Sequence, residues 1–173
     1  MPLRRPGRLP NVSYIGIQRY YLTLCTMDRR TEFEIHDVVE YGKFQLLHFG
    51  RKHAFAILAY CFMPDHLHVL AEGTSATSDL QRFISLYKQR TGYWFGERQL
   101  GRLWQEGYYD HIPRADERTL SIVKYILENP VRAGLAASFR DYPYSGSEMY
   151  SLDELAEAAS EAPRGRGLHH RSR

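Results

Sequence analysis

The chain has 173 residues, 43% of them hydrophobic and 25% charged, with a formal net charge of +3. That is the make-up of one globular domain with a real core; it leaves no room for a second large domain, and no apolar run is long enough to span a bilayer. Arg4, Arg5 and Arg8 have no apolar segment behind them, so the N-terminus does not read as a secretory signal. Cys25 and Cys61, the two cysteines, both lie in apolar runs, which suits buried thiols in the cytoplasm better than a disulfide framework.

The charge is uneven. Glu148, Asp153, Glu154, Glu157 and Glu161 fall in one stretch without Lys or Arg, and outside it 23 basic residues face 15 acidic ones. With 13 tyrosines and two tryptophans, that bias permits phosphate contacts and base stacking, as single-strand nucleic-acid binders use; a solvated basic surface would give the same composition.

In chain order, residues 14–27 are rich in aromatic and β-branched side chains, and Tyr21, Thr23 and Cys25 alternate with Leu22 and Leu24, which predicts a strand. Asp28-Arg29-Arg30 turns the chain, and the spacing of Val38, Val39, Leu46 and Leu47 predicts a helix over 35–49. Strands are predicted over 54–62 and 66–71, joined by Met63-Pro64-Asp65 as an antiparallel hairpin. A second helix, capped by Thr77 or Ser78, carries Leu80, Phe83, Ile84 and Tyr87 to about Arg90, with Gly92 closing it. Residues 108–112 are read as a short fourth strand. A third helix starts at Asp116 with Glu117 in its first turn, presents Leu120, Val123, Ile126 and Leu127 on one face, and ends near Asn129 because Pro130 disfavours a helical residue before it. This order gives an α+β fold: a ferredoxin-like, split βαβ antiparallel sheet with an added C-terminal helix. Residues 1–150 form the domain, and residues 151–173, acidic and then Arg-rich, read as a flexible tail.

Fold alone does not choose a function, so the side chains must. On a strand, His66 and His68 project two imidazoles from one face while Leu67 and Val69 point to the other, a bidentate grip for a metal. Such pairs also arise by chance on exposed strands. On the third helix, Tyr125 and Asn129 are one turn apart and fall opposite the stripe centred on Val123, with Ile122 beside them. A phenol and an amide oxygen could there be offered together to a metal on the histidine strand, Asn129 completing a three-ligand set. Equally, Tyr125 could be an amphipathic surface residue, and Asn129 could cap a short turn running from Pro130 to Gly134. His36, His48 and His53 lie in or beside the first helix and read as structural or solvated; His111 is open.

The chain resembles the single-tyrosine HUH transposases of the IS200-like superfamily, and more closely the REP-associated tyrosine transposases, over most of residues 10–147. The resemblance rests on Tyr21-Leu-Thr-Leu-Cys-Thr26 with Arg29-Arg30, Met63-Pro-Asp-His-Leu-His-Val69, Leu103-Trp-Gln105 with Tyr108 to His111, Tyr125-Ile-Leu-Glu-Asn-Pro-Val-Arg-Ala-Gly134, and Tyr142-Pro-Tyr-Ser145. It implies a nuclease core that recognises imperfect DNA hairpins with a short single-stranded tag and cuts nearby. It places the metal-binding histidines on His66 and His68, the nucleophile on Tyr125 and the further polar ligand on Asn129. The expected cofactor is one magnesium or manganese ion, the expected product a 5′-phosphotyrosine link with a free 3′-hydroxyl, and the expected partner single-stranded DNA bearing a hairpin, with the protein monomeric or homodimeric and nucleoid-associated. A non-catalytic module that stacks single-stranded nucleic acid on a ferredoxin-like sheet is the alternative, although no RNP-like aromatic signature marks the strands. A hydrolase using water would leave Tyr125 without a job.

Overall fold

Alternation along the strands decides the architecture, because each central strand carries apolar side chains on both faces and therefore needs cover on both sides. The computed structural model describes residues 13–98, 100–113 and 119–161. Strands Arg19–Cys25 (β1), Phe55–Met63 (β2), His66–Gly73 (β3), Tyr109–His111 (β4) and Ser145–Gly146 (β5) form one antiparallel sheet in the order β4-β1-β3-β2-β5. Helices His36–Lys52 (α1) and Leu80–Glu97 (α2) complete the split βαβ plan, while Thr119–Leu127 (α3), Asn129–Arg132 (α4) and Leu152–Glu161 (α5) follow β4 or β5. The expected α+β, ferredoxin-like sheet is present, with β5 added at the β2 edge.

One face of the sheet buries Tyr20, Leu22, Leu24, Leu67, Val69 and Ala71 against α1 and α2. The other carries Tyr21, Ala59, Cys61, Met63 and Leu70 beneath Ile122, Val123, Ile126 and Leu127 of α3. Four such side chains, each stabilising by about 1.5–3 kcal/mol when fully buried, suffice to hold a helix too short to persist alone. Among the described residues, no helix is long and apolar enough to cross a membrane.

The elements differ from the sequence expectation at several ends. β1 starts at Arg19 rather than residue 14, because Gly16 adopts φ 111° and its carbonyl lies so close to Gly73 that a Cβ there would approach within 2.1 Å. α2 runs through Gly92 to Glu97, since Thr91 and Phe95 are buried and Trp94 stacks on Tyr41 at 4.2 Å, so packing overrides the helix-breaking residue. Its cap is Asp79, which accepts from the Arg82 amide at 3.0 Å, while Ser78 donates to the Ala54 carbonyl. Asp116 and Glu117, the expected start of α3, lie outside the described residues. The α3 stripe is also rotated: Ile122 is buried and Leu120 is 42% exposed, because the helix faces the sheet and α5 together. Residues 152–161, expected to belong to the unpacked tail, form α5 and bury Leu155 against α3.

Candidate active site

The metal-binding expectation concerns β3. His66 follows the tight Met63-Pro64-Asp65 connection, pairing with Cys25 on one side and Met63 on the other; His68 pairs with Thr23 and Cys61. Leu67 between them is fully buried on the opposite face. The two imidazoles meet at 87° with their Nε2 atoms 3.0 Å apart. That is the bite of two ligands on one cation, since histidine–metal bonds of ~2.0–2.1 Å set adjacent nitrogens roughly 3 Å apart. Without a cation, the same spacing suits a hydrogen bond from one Nε2 to the other.

The other ring nitrogens are held from behind. His66 Nδ1 lies 2.5 Å from Asp65 Oδ1, and Asp65 Oδ2 is 2.8 Å from Arg29 Nε. Arg29 and Asp28 adopt φ 57° and 53°, a left-handed conformation unfavourable for non-glycine residues, and Arg29 also donates to Cys25 Sγ. His68 is 4% exposed, and its Nδ1 faces Tyr21 Oη at 2.9 Å and Thr23 Oγ1 at 3.1 Å. With a proton on each Nδ1, both Nε2 lone pairs are turned to the shared position, the arrangement outer groups give to metal-ligating histidines. Burial pushes the Tyr21 phenol well above its ordinary pKa, so it remains a neutral hydroxyl. Burial also pushes the neighbouring Cys61 thiol up to about 12, leaving it protonated and unreactive.

Tyr125 stands on the same side of the sheet. It is half-buried rather than opposite the packed face, and its ring meets the Tyr21 ring at 89° with centroids 6.2 Å apart. Tyr21 in turn stacks on His68 at 5.6 Å, so a single aromatic side chain separates Tyr125 from a histidine of the pair. The Arg132 guanidinium lies 4.2 Å from the Tyr125 ring centroid and donates to the Tyr125 carbonyl at 2.8 Å. Asn129 closes α3: its amide nitrogen donates to the carbonyls of Tyr125 and Ile126 at 3.0 and 3.2 Å. It is also the first residue of α4, whose cap is Glu128, so Asn129 does not cap the turn that begins at Pro130; its side chain instead bonds back to the end of α3. The amide nitrogen being spent on the helix, Oδ1 is the atom Asn129 has to offer a cation.

These residues fit a divalent ion. Two imidazole nitrogens converge, and among the described residues no third His, Cys, Asp or Glu joins them, so further ligands must be neutral oxygens or the substrate. His68 is 4% exposed and the His66 side chain 16%, so the pair is reached from the His66 side. A groove of about 570 Å³ between α2 and residues 101–108 is lined by none of the four expected site residues.

Several contributors were not singled out from sequence. Tyr21, Thr23 and Asp65 stood in the strand, the turn and the motifs of the resemblance, but no role in the site was read for them. His111, left open, pairs with Tyr21 across β1 and β4 and so shares its side of the sheet. Leu103-Trp-Gln105 clamps the end of β1: the Met27 amide donates to Leu103 O, the Gln105 amide to Cys25 O, and Trp104 Nε1 to Thr91 Oγ1. Tyr142 is structural, its hydroxyl donating to the Phe62 carbonyl at 2.6 Å.

A family model described as "Transposase IS200 like" matches residues 17–129. The REP-associated tyrosine transposase of Escherichia coli K12 is 26% identical over 135 residues, covering 76% of this chain and 78% of that protein. A Haemophilus influenzae Rd protein provisionally given the same designation is 26% identical over 156 residues, covering 78% and 85%. Among solved structures, a REP-associated tyrosine transposase bound to a REP hairpin superposes with a TM-score of 0.68 at 21% identity, over 80% of this chain and 82% of that one.

Proposed function

The chain belongs to the IS200-like transposase family, and on that premise we propose that it nicks and rejoins single-stranded DNA at hairpins, with Tyr125 as nucleophile and His66, His68 and Asn129 Oδ1 as ligands of one magnesium or manganese ion. The observation that carries this reading is the convergence of the two Nε2 atoms at 3.0 Å on the face where Tyr125 is reached through Tyr21. Such an ion, when bound, supplies Lewis-acid polarisation of the scissile phosphate.

The chain's own residues do the rest. Tyr125 Oη attacks the phosphorus, forming the tyrosine–phosphate bond as the bond to O3′ breaks. The phenol proton is given up and one is taken by the departing 3′ oxygen, so the step needs neither redox partner nor nucleotide. Because a phosphodiester replaces a phosphodiester, attack by a 3′-hydroxyl reverses the step and joins strands. Arg132, against the Tyr125 ring and paired with Glu128 at 3.7 Å, would exchange that exposed ion pair for a phosphate oxygen.

The test is direct. Incubated with manganese and single-stranded DNA carrying a hairpin, the protein should give a denaturant-resistant protein–DNA adduct, lost under chelation and mapping to Tyr125. Cleavage without an adduct would point to hydrolysis by water, and binding without cleavage to the non-catalytic module.

A further inference from the structure

We propose that Tyr21 is a positioning residue that sets both halves of the site: its hydroxyl holds the His68 ring and accepts a hydrogen bond from Nδ1–H when Nε2 faces a cation, and its ring fixes where Tyr125 stands. The inference rests on the metal-ligand and nucleophile roles proposed for those two residues.

Tyr21 is 3% exposed, and its hydroxyl is directed at an imidazole rather than at solvent. A purely packing residue at this position needs no hydroxyl; burying one without partners would cost stability. Here the partner is His68 Nδ1 at 2.9 Å, with Thr23 Oγ1 3.1 Å from the same nitrogen. When the Tyr21 hydroxyl proton is turned away from the ring, its oxygen accepts from His68 Nδ1–H, and the Nε2 lone pair is exposed. When it donates to Nδ1, His68 carries its proton on Nε2, 3.0 Å from His66 Nε2, and the pair is joined by a hydrogen bond. A hydroxyl that rotates between the two states keeps the ring fixed while the position between the histidines fills or empties. Asp65 has no such freedom toward His66, since an ionised carboxylate only accepts.

The ring does separate work. It stacks on His68 with an interplanar angle of 22° and meets Tyr125 at 89°, an edge-to-face contact of the kind that stabilises aromatic pairs. A tyrosine on a helix keeps two side-chain torsions, and α3 alone does not fix them. The Tyr21 ring and the Arg132 guanidinium together supply what the helix lacks.

Two variants separate these effects. Tyr21→Phe keeps the ring and removes the oxygen, leaving Thr23 Oγ1 as the remaining partner of His68 Nδ1, so the protein should stay folded with a lowered melting temperature, and saturating Mn²⁺ should restore adduct formation. Mn²⁺ affinity in the absence of DNA, read by electron paramagnetic resonance, should weaken by about 10-fold or more, as losses behind metal-bound histidines do. Adduct formation at limiting Mn²⁺ should fall with it and recover on adding metal. Tyr21→Leu removes the ring as well, and saturating Mn²⁺ should then fail to restore the rate. Wild-type Mn²⁺ affinity in Tyr21→Phe would overturn the hydroxyl role, and full rescue of Tyr21→Leu by metal would overturn the ring role. If Tyr21→Leu does not fold, Tyr21→Phe still decides the proposal. Wild-type protein that neither binds Mn²⁺ nor forms an adduct would overturn the proposed function instead, so the wild-type measurements distinguish the two failures.

Discussion

Tyr125→Phe isolates one oxygen. The ring keeps its edge contact with Tyr21 and its place under the Arg132 guanidinium, and the Arg132 hydrogen bond goes to the Tyr125 main-chain carbonyl, which the substitution leaves alone. The folded state should therefore change by no more than about 0.5 kcal/mol, as expected for a substitution that opens no cavity and leaves no buried group unpaired. The histidine pair is untouched, so Mn²⁺ affinity and hairpin binding should remain within a few fold of wild type. Chemistry should not survive: losing the attacking atom ought to lower cleavage by at least about 10³–10⁴-fold, or roughly 4–5.5 kcal/mol of transition-state stabilisation. The assay is single-turnover cleavage of a hairpin-bearing oligonucleotide, with cut strand and covalent adduct quantified on a denaturing gel and binding measured in parallel by mobility shift. Phenylalanine at Tyr108, Tyr109, Tyr142 or Tyr144 should leave the adduct in place, except where Tyr142 loses its bond to the Phe62 carbonyl and stability falls. Cleavage by Tyr125→Phe at a wild-type rate, or an adduct mapped to another tyrosine, would refute the reasoning.

Asp65→Asn should weaken Mn²⁺ binding about 10–100-fold by removing the carboxylate behind His66, with the melting temperature nearly unchanged; unaltered affinity by calorimetry would show that Asp65 serves only the Arg29 turn. Leu155→Ala should cost about 2 kcal/mol, the low end for a buried leucine because α5 lies at the periphery, and a thermal melt indistinguishable from wild type would mean that α5 is not docked in solution. Lys88 is half-buried, and desolvation together with the nearby Arg102 lowers its pKa to about 8, so between about pH 8 and the unfolded value of 10.5 the unfolded chain binds the extra proton and stability rises with pH. Relative to Lys88→Met, wild type should gain up to about 3 kcal/mol across that window; Tyr20 and Tyr60, whose pKa values burial raises, pull both proteins down above pH 10 and cancel in the comparison. Parallel stability profiles in the two proteins would refute the depressed value.

Local pattern carried much of this protein. A period of two in residues 19–25 and 66–71, a short turn at Met63-Pro64-Asp65, and helical spacing in 36–52 and 119–127 are properties of neighbouring residues, so strands, hairpin and helices were legible without tertiary information. The same period put His66 and His68 on one face, and a four-residue step put Tyr125 and Asn129 one turn apart. What no local pattern holds is which face of one element meets another. Only the packed molecule rotated α3 so that Ile122 rather than Leu120 is buried and Tyr125 reaches the sheet, because that choice depends on the sheet and α5 pressing from two directions. Gly92 failed to end α2 for the same reason: contacts with Tyr41 and Trp104, distant in sequence, outweigh a propensity of about 1 kcal/mol. Tyr21 and Asp65 gained their meaning from the register Tyr21↔Leu70 and Thr23↔His68 and from a turn that folds a carboxylate onto the next residue's ring. The sequence thus determined which groups share a strand or a helix, while the fold alone decided which of them stand behind which, since hydrogen bonds at 2.5–3.1 Å depend on distances that chain neighbours do not set.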